Sequence, residues 1–191
     1  MFLALAVLNL WLAAANPIAS SQSRVISLPQ DEVTRIPSPD GKWTLVFECP
    51  NACSQRKLWI EDGSLHTRRF VKEYDRSLSI SWAPDSRHFF VNDAWGSNGE
   101  SCSVYEHTTG SPTDISTILV AADPNAKRFM HAGHSYLQAI EWADSHELIV
   151  VLFGHFDDPP LGGFTIRYRV NLNGEVHKLS QKKSEQDPAK P

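Results

Sequence analysis

The chain has 191 residues, of which 41% are hydrophobic, 21% charged and 10% aromatic. This composition is that of one ordinary globular domain, and it excludes a disordered or fibrous chain. The formal net charge is −4, so the chain offers no basic field for a nucleic-acid backbone, and we expect no nucleic-acid partner. Pro and Gly are scattered along the sequence, which favours short segments over a helical bundle.

An apolar segment without a charged residue covers residues 2–15 and is followed by a polar stretch. It is too short for a membrane-spanning helix of about 20 residues, whereas a signal peptide needs only about 7–15 apolar residues. We therefore predict a signal peptide over residues 1–15, with cleavage as late as residue 20 as a second option. The mature protein is then periplasmic or secreted, without stable membrane insertion. A buried N-terminal helix is the alternative.

The three cysteines agree with an oxidising compartment. Cys49 and Cys53 flank a Pro-Asn pair that can turn the chain, so we predict a local Cys49–Cys53 disulfide that leaves Cys102 unpaired. A bridge from Cys102 to one of the other two cysteines is the alternative. The spacing of Cys49 and Cys53 is not that of a zinc knuckle, and we predict neither a metal nor a cofactor.

Three related segments organise the chain. Each has a turn motif centred on an aspartate, which is Asp40, Asp85 or Asp144, and each continues into an apolar run. Pro presets φ for such a turn, Asp accepts a hydrogen bond from the backbone two residues on, and Gly or Ser tolerates the tight corner. The motif therefore predicts a tight turn between two antiparallel strands in each repeat.

Alternating apolar and polar residues predict further strands with one buried face. The clearest examples are residues 57–61, 77–82 and 165–170. We expect up to four short strands in each repeat.

The second spacing between the aspartates is longer than the first, which predicts an insertion. Residues 114–122 fit either an outer strand or a short helix. Asp123 followed by Pro124 is typical of a helix start, with Asp as N-cap and Pro at the first helical position. We therefore expect a short helical insertion near residues 114–130.

The turn motif followed by an apolar strand resembles the WD-like β-propeller repeat of the TolB type. Residues 38–43 and 82–88 are the good matches, and the third copy has lost its Pro and Gly. The resemblance covers about residues 33–179 and implies an all-β fold of three propeller-type antiparallel sheets. It also implies a secreted or periplasmic protein that binds a protein partner in the cell envelope or serves as an accessory domain to a peptidase.

Three repeats are too few for a closed ring, because propellers typically have about 4–8 blades. Residues 24–36 then contribute extra strands, the sheets form a compact open stack, or two chains complete one ring. An uncovered sheet face is an apolar patch, so a homodimer is one expectation. Residues 24–179 form a single domain in this interpretation, and the polar segment 180–191 is expected to be a disordered tail.

Elaborated loops stand at the same position of the three repeats, and such loops lie on one edge of the assembly. They are residues 49–55, the stretch around Trp95, and residues 155–164. We expect binding at this edge, with Trp95, Phe156 and Phe164 as the binding residues. The alternative is that these segments are ordinary hairpin connections whose aromatic side chains pack into the core.

Four residues near the third repeat have the side chains of a zinc site, namely His131, His134, His155 and Asp157. Their spacing is unspecific, so ordinary loop histidines are the preferred interpretation. A serine-hydrolase motif is incomplete, because Leu137 stands where the last Gly of G-x-S-x-G belongs. The sequence therefore predicts an exported interaction module with no catalytic activity of its own, with a small metal-dependent hydrolase as the alternative.

Overall fold

The computed structural model describes residues 24–28, 34–49, 56–157 and 162–184, so the predicted signal peptide lies outside the described residues. The strands are β1 (Ile26–Ser27), β2 (Thr34–Pro37), β3 (Trp43–Glu48), β4 (Arg56–Asp62), β5 (Thr67–Tyr74), β6 (Ser77–Trp82), β7 (His88–Ala94), β8 (Gly99–Glu106), β9 (Pro112–Asp114), β10 (His134–Trp142), β11 (Glu147–His155), β12 (Gly163–Asn171) and β13 (Val176–Ser184). The helices are α1 (Ile115–Ala122) and α2 (Ala126–Met130). Neither helix of the described part has the length and hydropathy needed to cross a membrane.

The sheets follow the three repeats. β2 to β5 form the first antiparallel sheet, β6 to β9 the second and β10 to β13 the third, and within each sheet every strand pairs with the next one along the chain. The two helices form the insertion between the second and third sheets. The expected all-β fold of three propeller-type sheets with a short helical insertion is confirmed.

Two further pairings complete this arrangement. One adds β1 to the second sheet, and the other joins the second and third sheets. β1 pairs antiparallel with β6, so the amino-terminal segment does contribute an extra strand. β10 pairs in parallel with β8, but only over Gly99 with Ser135 and Glu100 with Tyr136. The short parallel contact leaves the rest of β8 and β10 free to diverge around the helices.

The three aspartate turns are equivalent. Each carboxylate accepts a hydrogen bond from the backbone N–H two residues on, at 3.1 Å for Asp40, 2.9 Å for Asp85 and 2.7 Å for Asp144. Gly41 and Ser86 occupy matching positions of the first two turns, and both have a positive φ, +72° and +63°. We call the edge formed by residues 38–43, 83–88 and 143–147 the turn edge.

Contacts between neighbouring repeats hold the turn edge together. The backbone N–H of Asp40 donates to Ser86 Oγ at 2.9 Å. The indole N–H of Trp82 donates to the carbonyl of Ile36 at 3.2 Å, and that of Trp142 donates to the carbonyl of Ser81 at 3.1 Å. Each tryptophan therefore binds the backbone of the repeat that precedes its own.

Two apolar cores separate the three sheets. The core between the first and second sheets includes Leu45, Leu58 and Ile80, each at most 1% exposed. The core between the second sheet, the helices and the third sheet includes Leu119 and Leu148, both fully buried. Burial of these large side chains is the main favourable term in the free energy of folding.

One buried polar side chain links the second and third sheets. Asn92 is 2% exposed, and its amide nitrogen donates to the carbonyl of Ala139 at 2.8 Å and to Ser79 Oγ at 2.9 Å. Its Oδ1 accepts from the backbone N–H of Ala139 at 2.9 Å. Asn92 thus satisfies both backbone groups of Ala139 where direct strand pairing between the sheets is missing.

Two sequence expectations differ in detail from the structure. Asp114 caps α1, and α2 begins at Ala126 rather than directly after Asp123, because the Asp123 carboxylate accepts from the Asn125 N–H in a turn that precedes the helix. β13 continues to Ser184, into the segment for which a tail is expected, because it pairs along β12. Residues 185–191 lie outside the described residues.

Candidate functional site

The strand ends from which the elaborated loops leave lie opposite to the turn edge. The loops after β3, β7 and β11 each connect the second strand of a sheet to its third, so the three leave the sheets on the same side. We call this side the loop edge. Its described residues are 49, 95–98, 156, 157 and 162, while residues 50–55 and 158–161 lie outside the described part of the chain.

The cysteine prediction falls partly on this edge. Cys102 is a free thiol and fully buried in β8, so the alternative bridge to Cys102 is not formed. Cys53 lies outside the described residues, and the Cys49–Cys53 disulfide stays a prediction. Burial raises the pKa of Cys102 to about 12, which keeps this thiol protonated and unreactive at neutral pH.

A cleft of about 350 Å³ opens at the loop edge beside the helices. It exists because β8 and β10 pair over only two residues and then separate, and α1 and α2 lie across the gap. The volume lies in the range of small-molecule sites, at about 300–1,000 Å³. Its walls are formed by Trp95, Asn98, Glu100, Ser101, Ser116, Val120, Lys127, Met130, His131, Ala132, Gly133, Ser135 and Leu137.

Glu100 provides a negative group in the wall of the cleft. It lies at the start of β8, is partly buried, and accepts a hydrogen bond from Gln138 Nε2 of β10. Burial raises the pKa of the Glu100 carboxyl above its ordinary value; the hydrogen bond from Gln138 opposes this rise, and the charge of Asp93 adds to it. A bound cation would therefore relieve the cost of keeping this carboxylate charged.

One positive group, on α2, lines the same cleft. Lys127 is exposed and makes no ion pair within the described part of the chain. His131 follows α2, and its Nδ1 lies 2.7 Å from the carbonyl of Lys127, so its Nδ1–H donates to that oxygen. The cleft thus combines charges of both signs with the apolar surfaces of Met130 and Leu137.

Trp95, the first of the predicted binding residues, lies at the rim of this cleft. Its side chain is 54% exposed, and its ring lies against the backbone of Gly99. A Cβ at position 99 would lie 1.9 Å from Trp95 Cζ2, so glycine is what allows the indole to cross the start of β8. The ring is therefore held in place and still offers a face to a ligand.

Phe156 and Phe164 are placed elsewhere. Both pack against Phe129 of α2, with ring centroids 5.9 Å and 4.9 Å away, and neither lines the cleft. Phe164 is 4% exposed, so it is a core residue in the structure. The strand alternation contained this signal, because Phe164 has the same parity as the buried residues Ile166, Tyr168 and Val170. A binding role for the two phenylalanines is not tested by these positions and stays a prediction.

The structure brings three of the four candidate metal ligands together and leaves His131 out of the group. His131 points its Nδ1 at the helix backbone, as described above. One ligand atom from each of His134, His155 and Asp157 lies within 4.8 Å of the others. A second group of the same composition, Asp85, His88 and His146, lies at the turn edge. The sequence analysis named the three residues of the first group but not their grouping, and it did not single out the second group, because each group joins side chains from separate strands or turns.

No family model matches the chain, and no curated protein matches it. Solved structures do resemble it. The β-propeller domain of the trilobed protease from Pyrococcus furiosus, described as having an open velcro topology, superposes with a TM-score of 0.53 at 15% identity, over 79% of this chain and 43% of that one.

Two further solved structures resemble the chain with lower scores. TolB from Acinetobacter baumannii gives a TM-score of 0.46 at 14% identity over 83% of this chain and 35% of that one. A prolyl endopeptidase gives 0.49 at 16% identity over 83% and 22%. The chain thus spans less than half the length of each of these three structures.

The expectation that this architecture indicates an interaction module without catalytic activity is wrong. The β-propeller domain that superposes with a TM-score of 0.53 belongs to a protease, so the architecture does not set the chain apart from enzymes. At 15% identity this likeness shows the fold alone: the chain has a β-propeller-like fold.

Proposed function

We propose that the chain binds a short, zwitterionic, peptide-like ligand in the cleft at the loop edge. The observation that supports this most strongly is that Glu100 and the unpaired Lys127 line the same apolar-walled cleft. A free dipeptide has an ammonium group for Glu100, a carboxylate for Lys127 and side chains for Met130 and Leu137. Ligand sites typically have this form, with apolar walls and a few placed polar groups.

The burial of Glu100 explains why a cationic group is favoured there. A partly buried carboxylate with a raised pKa lacks the solvation that it has in water. An ammonium group bound beside it restores a charged partner, and a charge-assisted hydrogen bond of this kind contributes about 1.5–3 kcal/mol. The indole of Trp95 at the rim adds apolar contact area.

Calorimetric titration with the dipeptide Leu-Leu and its capped forms tests the proposal. We expect saturable binding of the free dipeptide. N-acetylation, which removes the ammonium group, and C-amidation, which removes the carboxylate, should each weaken binding by about tenfold or more. Equal affinities for the free and capped peptides, or no saturable binding of any of them, would contradict the proposal.

Two variants separate the two charged contacts. Glu100→Gln should remove the preference for a free amino terminus and keep the preference for a free carboxylate, and Lys127→Met should do the reverse. Glu73→Gln is the matched control, because Glu73 pairs with Lys57 on the first sheet, outside the cleft. A Glu73→Gln variant that loses ligand affinity as strongly as Glu100→Gln would argue against the cleft.

The proposal includes export and the TolB-type, WD-like class. The apolar segment over residues 2–15 and the turn motifs at residues 38–43 and 82–88 support these assignments. In a bacterial host, the mature protein is expected in the periplasm or the medium, with an amino terminus after residue 15 or, as the second option, residue 20. Amino-terminal sequencing of the mature protein checks this expectation.

A homodimer that completes a ring is a separate part of the proposal. It rests on the low number of repeats, because stacked sheets bury their outer faces only against neighbours. Sedimentation at micromolar concentration measures the mass directly. A monomer under those conditions would remove the dimer and leave the ligand-binding proposal unaffected.

A further inference from the structure

The β10–β11 pairing brings two histidines from different strands together. His134 begins β10 and His155 ends β11, and the two are register partners, so their side chains leave the same face of the sheet. Their ring centroids are 4.1 Å apart. Asp157 follows two residues after β11, and its carboxylate completes a group whose ligand atoms lie within 4.8 Å of one another.

The hydrogen bonds of Tyr136 set the tautomer of His134. The Tyr136 hydroxyl donates its single proton to the carbonyl of Ser97 at 2.6 Å. His134 Nδ1 lies 3.3 Å from the same hydroxyl oxygen, which can then only accept, so the Nδ1 of His134 has the proton and donates it. The Nε2 of His134 is left with a lone pair, as a metal ligand needs.

His155 has a ring nitrogen that needs a partner. Its Nδ1 is buried and has no hydrogen-bond partner among the residues that the structure describes. A buried polar atom without a partner costs free energy, and the ring next to it, His134, offers no proton from Nε2 in the tautomer fixed by Tyr136. Coordination of a metal ion by the two rings removes this penalty.

Gly133 allows the carboxylate to reach the two rings. A Cβ at position 133 would lie 1.7 Å from Asp157 Oδ2, so the carboxylate lies against the bare backbone of this residue. The backbone of Gly133 is outside the left-handed region, and alanine is compatible with its conformation. The absence of a side chain at position 133 is therefore tied to the position of Asp157 and not to the turn.

We propose that His134, His155 and Asp157 bind a zinc ion and leave one position of a tetrahedral site open. Two imidazoles and a carboxylate are ordinary zinc ligands, and borderline nitrogen donors disfavour magnesium or calcium. The ion would tie the start of β10 to the end of β11. Because Gly133 and Ser135 on either side of His134 line the cleft, the site would also fix one wall of that cleft.

The group at the turn edge provides a matched comparison. His88 Nδ1 lies 3.5 Å from Asp85 Oδ2 and, like His155 Nδ1, is buried and makes no hydrogen bond among the described residues. The other carboxylate oxygen of Asp85 accepts the turn hydrogen bond from Arg87, as the aspartates of the other turns do. The ring centroids of His88 and His146 are 5.4 Å apart, farther than those of His134 and His155. We expect this group to bind zinc more weakly.

Titration of the untagged full-length chain with zinc chloride, after removal of metal with a chelator, tests the proposal. We expect about one zinc per chain in the wild type and in His88→Ala, and loss of this stoichiometric binding in His155→Ala. No saturable zinc binding by the wild type would overturn the proposal, and so would an unchanged affinity in His155→Ala.

Variants outside the three ligands distinguish a built site from adventitious zinc on surface histidines. Tyr136→Phe removes the acceptor of His134 Nδ1 and should weaken zinc binding by about 10- to 100-fold. Gly133→Ala should displace Asp157 and weaken zinc binding by about tenfold or more while far-UV circular dichroism stays that of the wild type. Wild-type affinity in both variants would overturn the proposed geometry.

The substituted metal provides a readout besides affinity. Co²⁺ in place of zinc should give the intense visible bands of a tetrahedral site, and His155→Ala should lose them. A weak octahedral spectrum would contradict the site. These measurements use no peptide ligand, so their failure leaves the ligand-binding proposal standing, and the reverse also holds.

Discussion

The turn edge and the loop edge of this protein use polar side chains in different ways. At the turn edge the same contacts recur from repeat to repeat, with an aspartate that accepts from the backbone and, in two of the repeats, an indole that donates to the previous one. At the loop edge the side chains differ between repeats, with Trp95 in the second repeat and Phe156 and Asp157 in the third. Contacts that recur with the repeat stabilise the fold, and those that occur once are available for a ligand or a metal.

One tryptophan near each edge gives the largest expected difference in the free energy of unfolding. Trp142 is 8% exposed and donates to Ser81 of the preceding repeat, so Trp142→Ala should lower the free energy of unfolding by about 3–5 kcal/mol. Trp95→Ala should lower it by less than about 1 kcal/mol, because the side chain is 54% exposed, but should weaken peptide binding. Urea denaturation measures the stabilities. Similar losses in the two variants would break the distinction between the edges.

Asn92 lies between the edges and extends the comparison to the core. Asn92→Ala leaves the buried N–H and carbonyl of Ala139 without a partner, at a cost of about 1–3 kcal/mol for each group. We therefore expect a loss of a few kcal/mol in the free energy of unfolding. The exposed Asn125→Ala serves as the control, because the Asn125 side chain makes no capping hydrogen bond, and its loss should be within about 0.5 kcal/mol. A stable Asn92→Ala variant would mean that the second and third sheets do not depend on this link.

Substitutions in the first two aspartate turns should change the free energy of unfolding by less. Gly41 has φ +72° and open space around it, so Gly41→Ala should cost about 1–2 kcal/mol from backbone strain alone. Ser86→Gly relieves the same strain but loses the Oγ that accepts from Asp40, and the two effects should cancel within about 1 kcal/mol. Thermal unfolding of both variants checks this asymmetry. A Ser86→Gly variant that loses more stability than Gly41→Ala would mean that the link between repeats outweighs the strain.

The smallest expected effect is a difference in pH dependence between the edges. The hydrogen bond from Ser38 lowers the pKa of Asp40 in the folded protein, so the stability that Asp40 contributes is present above its ordinary pKa of 3.8 and is lost as the pH falls through the lowered value. Burial raises the pKa of Glu100, so its contribution is present below the ordinary 4.5 and is lost as the pH rises through the raised value.

Urea midpoints between about pH 3 and 7 test the two signs. Relative to the wild type, Asp40→Asn should lose stability towards neutral pH, and Glu100→Gln should gain it. The same sign for both variants would contradict the difference in environment that separates the two edges.

The turn motif was enough to predict the repeats, because its signals are local. The φ of a Pro and the acceptor of an Asp act within a few residues, and the structure confirms the three aspartate hydrogen bonds. The pairing of β1 with β6 and the parallel contact of β8 with β10 were not predictable in the same way. These pairings join residues far apart in the chain, and nothing in either strand specifies the partner.

The candidate metal site shows why register limits prediction from sequence. The register next to the turn pairs Trp142 with Leu148, but a bulge at Ile140 shifts it so that Ala139 pairs with Val150. Without the bulge, His134 would be opposite Phe156 instead of His155. The types of the ligands were visible in the sequence, but their grouping depended on one extra residue in β10.

The tryptophan contacts between repeats all run in one direction, from a later repeat to the one before it. Each indole N–H is satisfied by a carbonyl that was synthesised earlier, Ile36 for Trp82 and Ser81 for Trp142. A chain emerging from the ribosome can therefore complete each sheet against one that is already finished, without waiting for later residues. Truncation from the carboxyl end would remove Trp142 and leave the carbonyl of Ser81 to accept from water. Removal of the first sheet would leave the indole N–H of Trp82 without its acceptor, the carbonyl of Ile36.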